Sequence, residues 1–550
     1  MASLRHLPLI VLVIAVTGAL MFVPMVYGLA TGDRVLAAIF AQSGTMVLLV
    51  AVLLAIATAQ FRPKNVARSH FLSLLAAYAV VPLLAALPMA GPLSTPLLAD
   101  EVVARSVLGT TGFRFFDAWF EMVSSFTTTG ATLIDRPGSV APGFHLWRAL
   151  VGWLGGFVVL FAAAALLAPV NLGGVEVETG RPPGRALASA GRSPVPGGQG
   201  LRIGGRLLPD RSAAQGRSLP DDPHVEAAAR LWQAARLLAP VYAGLTLGLW
   251  IGLILAGDTP LVAACHAMSV LATSGISPVG GLENAGAARA GEMLILVCFV
   301  FAFTRHALPG RAYREPGLRL RRDHEFRAAV FLLSAMTLLL FIRQFAGAAG
   351  GEGGNDALAA LRAFWGSAFT FASFLSTTGF VSADWEGSRL WSGLPPPGLA
   401  LAGLALIGGG VATTAGGVRL LRAYALYRHG LHEMEKLLHP SLVAGRGARA
   451  RRIRTEGAYA AWLALMLLLA AMAAVMAALS LAGVDFEPAL ILTIAALSTT
   501  GPLAEMVTLG PILYSQQTDA VLGILGGAMV IGRLELLAVI ALLAPSGWRA

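Results

Sequence analysis

The chain has 550 residues, of which 56% are hydrophobic and 13% charged, with a formal net charge of +10 and a mean hydropathy of +0.72. A soluble domain carries about 25% charged residues, so an ordinary soluble protein is excluded. The basic excess does not point to nucleic acid, because Arg and Lys lie mainly in alternate loops between apolar blocks, the pattern that orients a chain in a membrane.

Ten membrane spans are predicted, at 7–28, 41–58, 69–90, 146–169, 235–256, 290–306, 327–346, 398–420, 457–482 and 519–544. Most of these blocks approach the ~20 apolar residues that a bilayer requires. The first block is longer than a leader's apolar region and lacks a persuasive cleavage site, so it reads as a span. The basic loops Arg62–Arg68, Arg305–Arg327 and Arg419–Arg454, with the net-basic segment 171–230, fall on the side of the N-terminus. Both termini are therefore expected in the cytoplasm. Segment 171–230 contains GRPPGRALASAGRSPVPGGQG. It cannot bury enough apolar surface to fold alone and is expected to be a disordered cytoplasmic insertion. Cys265 and Cys298 sit in or beside apolar blocks and make neither a disulfide framework nor a metal cluster.

A motif recurs four times: DAWFEMVSSFTTTGAT at 117–132, PLVAACHAMSVLATSGIS at 260–277, RAFWGSAFTFASFLSTTGFVS at 362–382 and EPALILTIAALSTTGPL at 487–503. Each is an apolar, helix-length stretch that ends in small hydroxylated residues and a glycine: Gly130, Gly275, Gly379 or Gly501. Each lies between two spans, so the unit is helix, half-helix with turn, helix. Four units use eight spans and leave two at the start. The predicted fold is an all-α membrane protein of four helix–pore-loop–helix units, with fourfold pseudo-symmetry around one ion pore. The expected divisions are 1–66 for the two extra helices, 67–170 for unit 1, 171–230 for the insertion, 231–310 for unit 2, 311–425 for unit 3 and 426–550 for unit 4.

The chemistry suits a cation. A dehydrated ion needs oxygens in place of its water shell, and irregular backbone at membrane depth is tolerated where it is buried in protein or lines a polar cavity. A half-helix entering from outside aims the negative end of its dipole at that cavity. A single small-residue turn would signify only helix packing; four in equivalent places signify a ring.

These residues resemble the Trk/Ktr/HKT superfamily of cation transporters, most closely its bacterial potassium uptake subunits. The matches are SSFTTTGAT at 124–132, GGGVATTAGGVRLLR at 408–422, STTGP at 498–502 and IGRLE at 531–535. The resemblance covers nearly the whole chain except 171–230. It implies a cation selectivity filter, holding K⁺, at Thr128, Thr129 and Gly130; Thr273, Ser274 and Gly275; Thr377, Thr378 and Gly379; and Thr499, Thr500 and Gly501. It implies a gate loop beneath that filter, with Gly408, Gly409, Gly410, Thr413, Thr414, Gly416 and Gly417. The run reads ATTAGG where the family more often has a GSTAGG-like run, so Thr413 stands in the serine's place.

The resemblance further implies that Arg533 faces the pore below the filter. From its position inside the last apolar block alone, a buried salt bridge with a carboxylate such as Glu535 is the alternative. Arg419 matches a basic position after the loop and equally fits a plain cytoplasmic-side anchor. His266 reads as a packed or polar-network histidine. Glu121, Asp135 and Asp384 fall near the expected outer mouth, either to concentrate cations or as ordinary solvated residues. No nucleotide loop, metalloprotease motif or nucleophile triad is found, so an enzyme is not expected, and no covalent cofactor either. The resemblance implies a homodimer in the bacterial inner membrane and a cytoplasmic nucleotide-binding ring as a partner. The alternatives are a sodium-permeable or H⁺/Na⁺-coupled (symport) member of the superfamily, an unrelated secondary transporter, and a non-conducting subunit.

Overall fold

The structure, a computed structural model, describes residues 8–60, 66–90, 114–167, 202–203, 206–207, 223–304, 323–349, 357–387, 397–439, 457–507 and 510–534. Helices α1 (Leu9–Leu20) and α2 (Phe22–Thr31) run on through Met21 as one apolar span. Gly32, in the left-handed region at φ 83°, ends it, and Asp33 caps α3 (Arg34–Thr58) by accepting the Leu36 N–H at 2.9 Å. That pair of signals is the expected stop and start of adjoining helices. Next come α4 (Val66–Ala85), α5 (Phe115–Phe126), α6 (Pro142–Ala162, continued by a π-helical turn to Leu167), α7 (Pro223–Leu255) and α8 (Pro260–Ala272). They are followed by α9 (Ala288–Cys298), α10 (His324–Ala349), α11 (Ala357–Leu375) and α12 (Gly398–Ile407). The last are α13 (Leu420–Leu438), α14 (Ala458–Leu481), α15 (Phe486–Leu497) and α16 (Asp519–Arg533).

Eight described helical segments are long and apolar enough to cross a membrane. Seven correspond to predicted spans. The eighth is α11, which the repeat had assigned as the third half-helix. The other three predicted spans are shorter. Span 290–306 is α9 followed by the turn Val300–Phe303, and 398–420 is α12 followed by a non-helical loop. Span 519–544 is described as α16, and its part beyond Leu534 lies outside the described residues.

The predicted disorder of 171–230 falls mostly outside the described residues. The exceptions are two paired antiparallel strands, β1 (Arg202–Ile203) and β2 (Arg206–Leu207), and the start of α7. Helix α7 begins at Pro223, inside the predicted insertion, because PHVEAAAR supplies a proline suited to the first turn and then good helix formers.

Polarity is inverted relative to a soluble protein. On α3 the apolar Leu49, Val52, Leu53 and Ile56 are exposed, whereas Ser124, His266, Ser269, Thr370 and Ser373 on the half-helices are buried. A continuous exposed apolar face on a helix of spanning length is a lipid-facing surface. The half-helices α5, α8, α11 and α15 converge at their C-terminal ends. Helix α6 can approach them because Gly155 lacks a side chain: a β-carbon there would lie 2.0 Å from the Phe126 carbonyl oxygen.

Candidate functional site: a ring of four backbone turns

Each of the four half-helices ends in the same way. Thr128, Thr273, Thr377 and Thr499 adopt left-handed conformations, with φ of 56°, 53°, 59° and 55°. The next amide then donates back five residues: Thr129 to Ser124 O at 2.8 Å, Ser274 to Ser269 O at 2.9 Å, Thr378 to Ser373 O at 2.9 Å and Thr500 to Ala495 O at 2.8 Å. This is the closure a helix C-terminus uses when a glycine takes the left-handed position. Here a β-branched residue takes it four times, although such residues are outliers in that region.

The glycine two places on sits against the next turn, and the contacts close into a circle. A β-carbon on Gly130 would lie 1.9 Å from Ser274 O, one on Gly275 2.3 Å from Thr378 O and one on Gly379 2.9 Å from Pro502 Cγ. One on Gly501 would lie 2.2 Å from Ala131 N. The Gly501 N–H also donates to Thr129 O at 2.6 Å. Gly130, Gly275 and Gly379 have positive φ and Gly501 does not.

All twelve residues predicted for the filter are thus brought together in one ring. Its wall is tightened by hydroxyl pairs: Thr127–Thr129 at 2.8 Å, Ser376–Thr378 at 2.9 Å and Ser498–Thr500 at 3.2 Å. The second turn has Ala272 in place of the first hydroxyl, so Ser274 turns to Ser269 Oγ at 3.2 Å. The Thr128 hydroxyl is buried without a hydrogen-bond partner in the protein.

The glycine-rich loop lies against the base of this ring. The Gly416 N–H donates to Thr377 Oγ1 at 2.8 Å, and a β-carbon on Gly416 would lie 2.1 Å from Ser498 O. The loop is fastened by groups distant in sequence. Gly410 N–H donates to Ala302 O at 2.8 Å, Thr413 Oγ1 to Ala302 O at 3.1 Å and Val411 N–H to the buried Glu325 at 2.9 Å. Val418, Arg419 and Leu420 return amide bonds to Leu406, Ile407 and Gly409. Gly408 (φ 71°), Ala412 (φ 57°), Gly417 (φ 77°) and Arg419 (φ 85°) supply the reversals.

Arg419 donates to Ala415 O and, at 3.3 Å, to Gly410 O, so its side chain braces the loop from within. Arg533 is 6% exposed. It donates to Thr414 O in the loop and approaches Thr499 Oγ1 in the ring at 3.5 Å, with Tyr78 alongside. Among the described residues no carboxylate pairs with Arg533. Glu535 lies outside them.

The three acidic residues near the expected outer mouth are engaged. Glu121 is fully buried, 2.8 Å from Arg148, and accepts from Thr132 Oγ1 at 2.8 Å and from the Leu133 N–H. Asp384 takes a two-pronged contact from Arg289 at 2.6 and 2.7 Å. Asp135 accepts from Ser515 at 2.7 Å. The reading of Glu121 as a free cation-gathering or solvated group is corrected, because the sequence does not reveal that α6 delivers Arg148 to it. Glu505, which the sequence did not single out, stands after the fourth turn. Burial and the nearby Asp135 hold its carboxyl above the usual range. His266 belongs to a polar network, with Nε2 2.9 Å from Ser277 Oγ and Nδ1 3.7 Å from Asp258. Among the described residues no three His, Cys, Asp or Glu side chains gather as a metal-holding group.

Comparison with known proteins agrees with this geometry. A family model described as "TrkH: Cation transport protein" matches residues 295–548, a stretch containing the third and fourth turns, the glycine-rich loop and Arg533. The chain is 26% identical over 452 residues to the Trk system potassium uptake protein TrkI of Halomonas elongata, covering 80% of each. It is 26% identical over 446 residues to the corresponding TrkH of Vibrio parahaemolyticus, covering 79% of this chain and 80% of that one. The crystal structure of the potassium transporter TrkH from Vibrio parahaemolyticus superposes with a TM-score of 0.73 over 99% of both chains, at 21% identity. In sequence the chain is similar to the Trk system potassium uptake proteins over about four-fifths of its length. Its fold is the TrkH fold, consistent with four pseudo-symmetric units around one pore. The four left-handed threonines are the part of that fold this sequence conceals, since nothing local distinguishes them from threonines at ordinary φ.

Proposed function

We propose that this chain takes up potassium ions across a bacterial inner membrane through a gated pore. The carrying observation is the closed ring of four equivalent turns, each a strained threonine followed by a glycine packed on its neighbour. In this reading the turns are the selectivity filter, with backbone carbonyls and the unpartnered Thr128 hydroxyl available to a dehydrated ion. The loop from Gly408 to Gly417 is the gate. Arg533, joined to that loop and close to the filter, sets the electrostatic barrier and helps hold the gate shut. Arg419 stiffens the gate. The names of the related Trk potassium uptake proteins favour K⁺ as the ion.

The same reading keeps both termini in the cytoplasm, a homodimer with one pore per protomer, and a cytoplasmic nucleotide-binding ring that opens the gate. It also keeps the unit boundaries given by the repeat. The test is ⁸⁶Rb⁺ uptake into liposomes holding the purified chain, with K⁺, Na⁺ and Li⁺ as competitors. K⁺ is expected to compete at far lower concentration than Na⁺, and Arg533→Ala to change the rate. Equal competition by Na⁺ would replace this reading with a sodium-permeable one.

A further inference from the structure

Nine residues before each ring glycine the half-helix carries a different residue: Glu121, His266, Thr370 and Leu492. The first three reach the outward-running strand of their own turn. Six residues before the glycine stand Ser124, Ser269, Ser373 and Ala495, whose carbonyls close the turns. Positions three apart share a helix face, so each turn is held at its base by the second residue, and its outer strand is offered a second hold by the first.

In the first unit that hold is strong. Glu121 accepts from Thr132 Oγ1 and Leu133 N–H, and Arg148 at 2.8 Å fixes the carboxylate. In the second, His266 reaches Ser277 Oγ at 2.9 Å. In the third, Thr370 Oγ1 accepts only the Ser382 N–H at 3.3 Å, and Glu292 from α9 adds Ser382 Oγ at 2.9 Å and Ala383 N–H at 2.7 Å. In the fourth, Leu492 has no polar atom to offer, and Tyr514 instead donates to Gly501 O at 3.0 Å.

We propose that Glu121, held by Arg148, is a positioning residue that fixes the carbonyls of the first filter turn and thereby contributes to the choice between K⁺ and Na⁺. The inference rests on the pore reading above. Neither side chain touches the ion. A turn tied at both ends cannot contract around a smaller cation. A turn tied only at Ser124 can.

The test uses full-length protein in liposomes and reads the ratio of Na⁺ to K⁺ concentrations that halve ⁸⁶Rb⁺ uptake. Removing one charge alone would strand the other in the interior, so the pair is replaced together. Glu121→Leu with Arg148→Met copies the fourth unit's apolar residue. It is expected to lower the ratio about tenfold, equivalent to ~1.4 kcal/mol, a fraction of what two hydrogen bonds to a charged group contribute. Glu121→Gln with Arg148→Gln keeps an acceptor for Thr132 and Leu133 and is expected to restore most of the ratio. Thr132→Val removes one donor to Glu121 and no charge, together with the acceptor of the Ile134 N–H at 3.1 Å in the same outer strand, with an expected fall of about threefold; it decides the matter if the double variant does not fold.

Hydrogen exchange at the Leu133 amide gives a readout independent of transport, with faster exchange expected in Glu121→Leu/Arg148→Met. Faster exchange in a protein whose wild type shows no K⁺ preference would sink the pore reading and leave the tether standing. Folded variants with unchanged ratio and unchanged exchange would overturn the tether.

Discussion

A β-branched residue in the left-handed region is unfavourable by about 1–2 kcal/mol, and this chain places four of them side by side at one level of the fold. Strain repeated at equivalent places persists only where the surroundings over-determine it. Here those surroundings are the amide closures to residues 124, 269, 373 and 495. A threonine at this point gives up stability that a glycine would keep, and it gains a turn with fewer accessible conformations. Thr128→Gly is therefore expected to leave the melting temperature unchanged or higher, because relief of the strain offsets the added entropy of glycine. In the ⁸⁶Rb⁺ competition assay its K⁺ preference is expected to fall about tenfold, equivalent to ~1.4 kcal/mol. A lower melting temperature with unchanged preference would mean that Thr128 serves packing alone. A turn pattern assigns unusual dihedrals to glycine, and Gly130, Gly275 and Gly379 do have positive φ. It passes over the threonines, because it assigns positive φ to residues without a β-carbon. At Gly501 the glycine is required by the close approach of Ala131 instead.

Among the elements, the half-helices were legible because each must end where its apolar run meets hydroxyls and glycine. Helices α5, α8 and α15, of 12, 13 and 12 residues, reach only about 18–20 Å, too short to cross. The break after α12 falls inside the predicted span 398–420 and was expected only through the family resemblance; its physical cause is that successive glycines cannot hold a helix. What fastens that loop was not legible. Ala302, Glu325 and Thr377 are brought to it by three different elements, and no local pattern marks a carbonyl or a hydroxyl as a docking point. The loop's seat on the ring is close enough to be tested by a methyl group. A β-carbon on Gly416 would lie 2.1 Å from Ser498 O and 2.4 Å from Thr499 Oγ1, so Gly416→Ala must push the loop off the ring or distort the fourth turn. The first outcome is expected, as a rise of at least about threefold in ⁸⁶Rb⁺ uptake without any partner. Arg533→Ala, which frees Thr414 O, is expected to act in the same direction. The two changes together should give less than the product of their effects, because both release one contact. A fall in uptake with Gly416→Ala would mean that the loop supports the filter and does not obstruct it.

At the scale of the molecule, the proposed orientation in the membrane rests on charge and on the half-helices together. The described turn at Thr31 lies where the N-terminal span ends, and His439 follows α13 on the way to the basic segment ending at Arg454. In the proposed orientation the basic segment lies in the cytoplasm, as the positive-inside rule predicts, with His439 beside it and Thr31 outside. The half-helices then enter from the outside, with their negative dipole ends at the ring, the arrangement that stabilises a cation midway through the bilayer. Reversal would point the proposed gate loop outward, away from the proposed cytoplasmic partner. The experiment is single-cysteine labelling in a chain lacking Cys265 and Cys298. Both Thr31 and His439 are exposed and suited to replacement. Thr31→Cys is expected to react with a membrane-impermeant maleimide on intact cells, and His439→Cys only after the membrane is permeabilised. The opposite pattern would invert the molecule and, with it, the assignment of the Gly408–Gly417 loop to the cytoplasmic side of the filter.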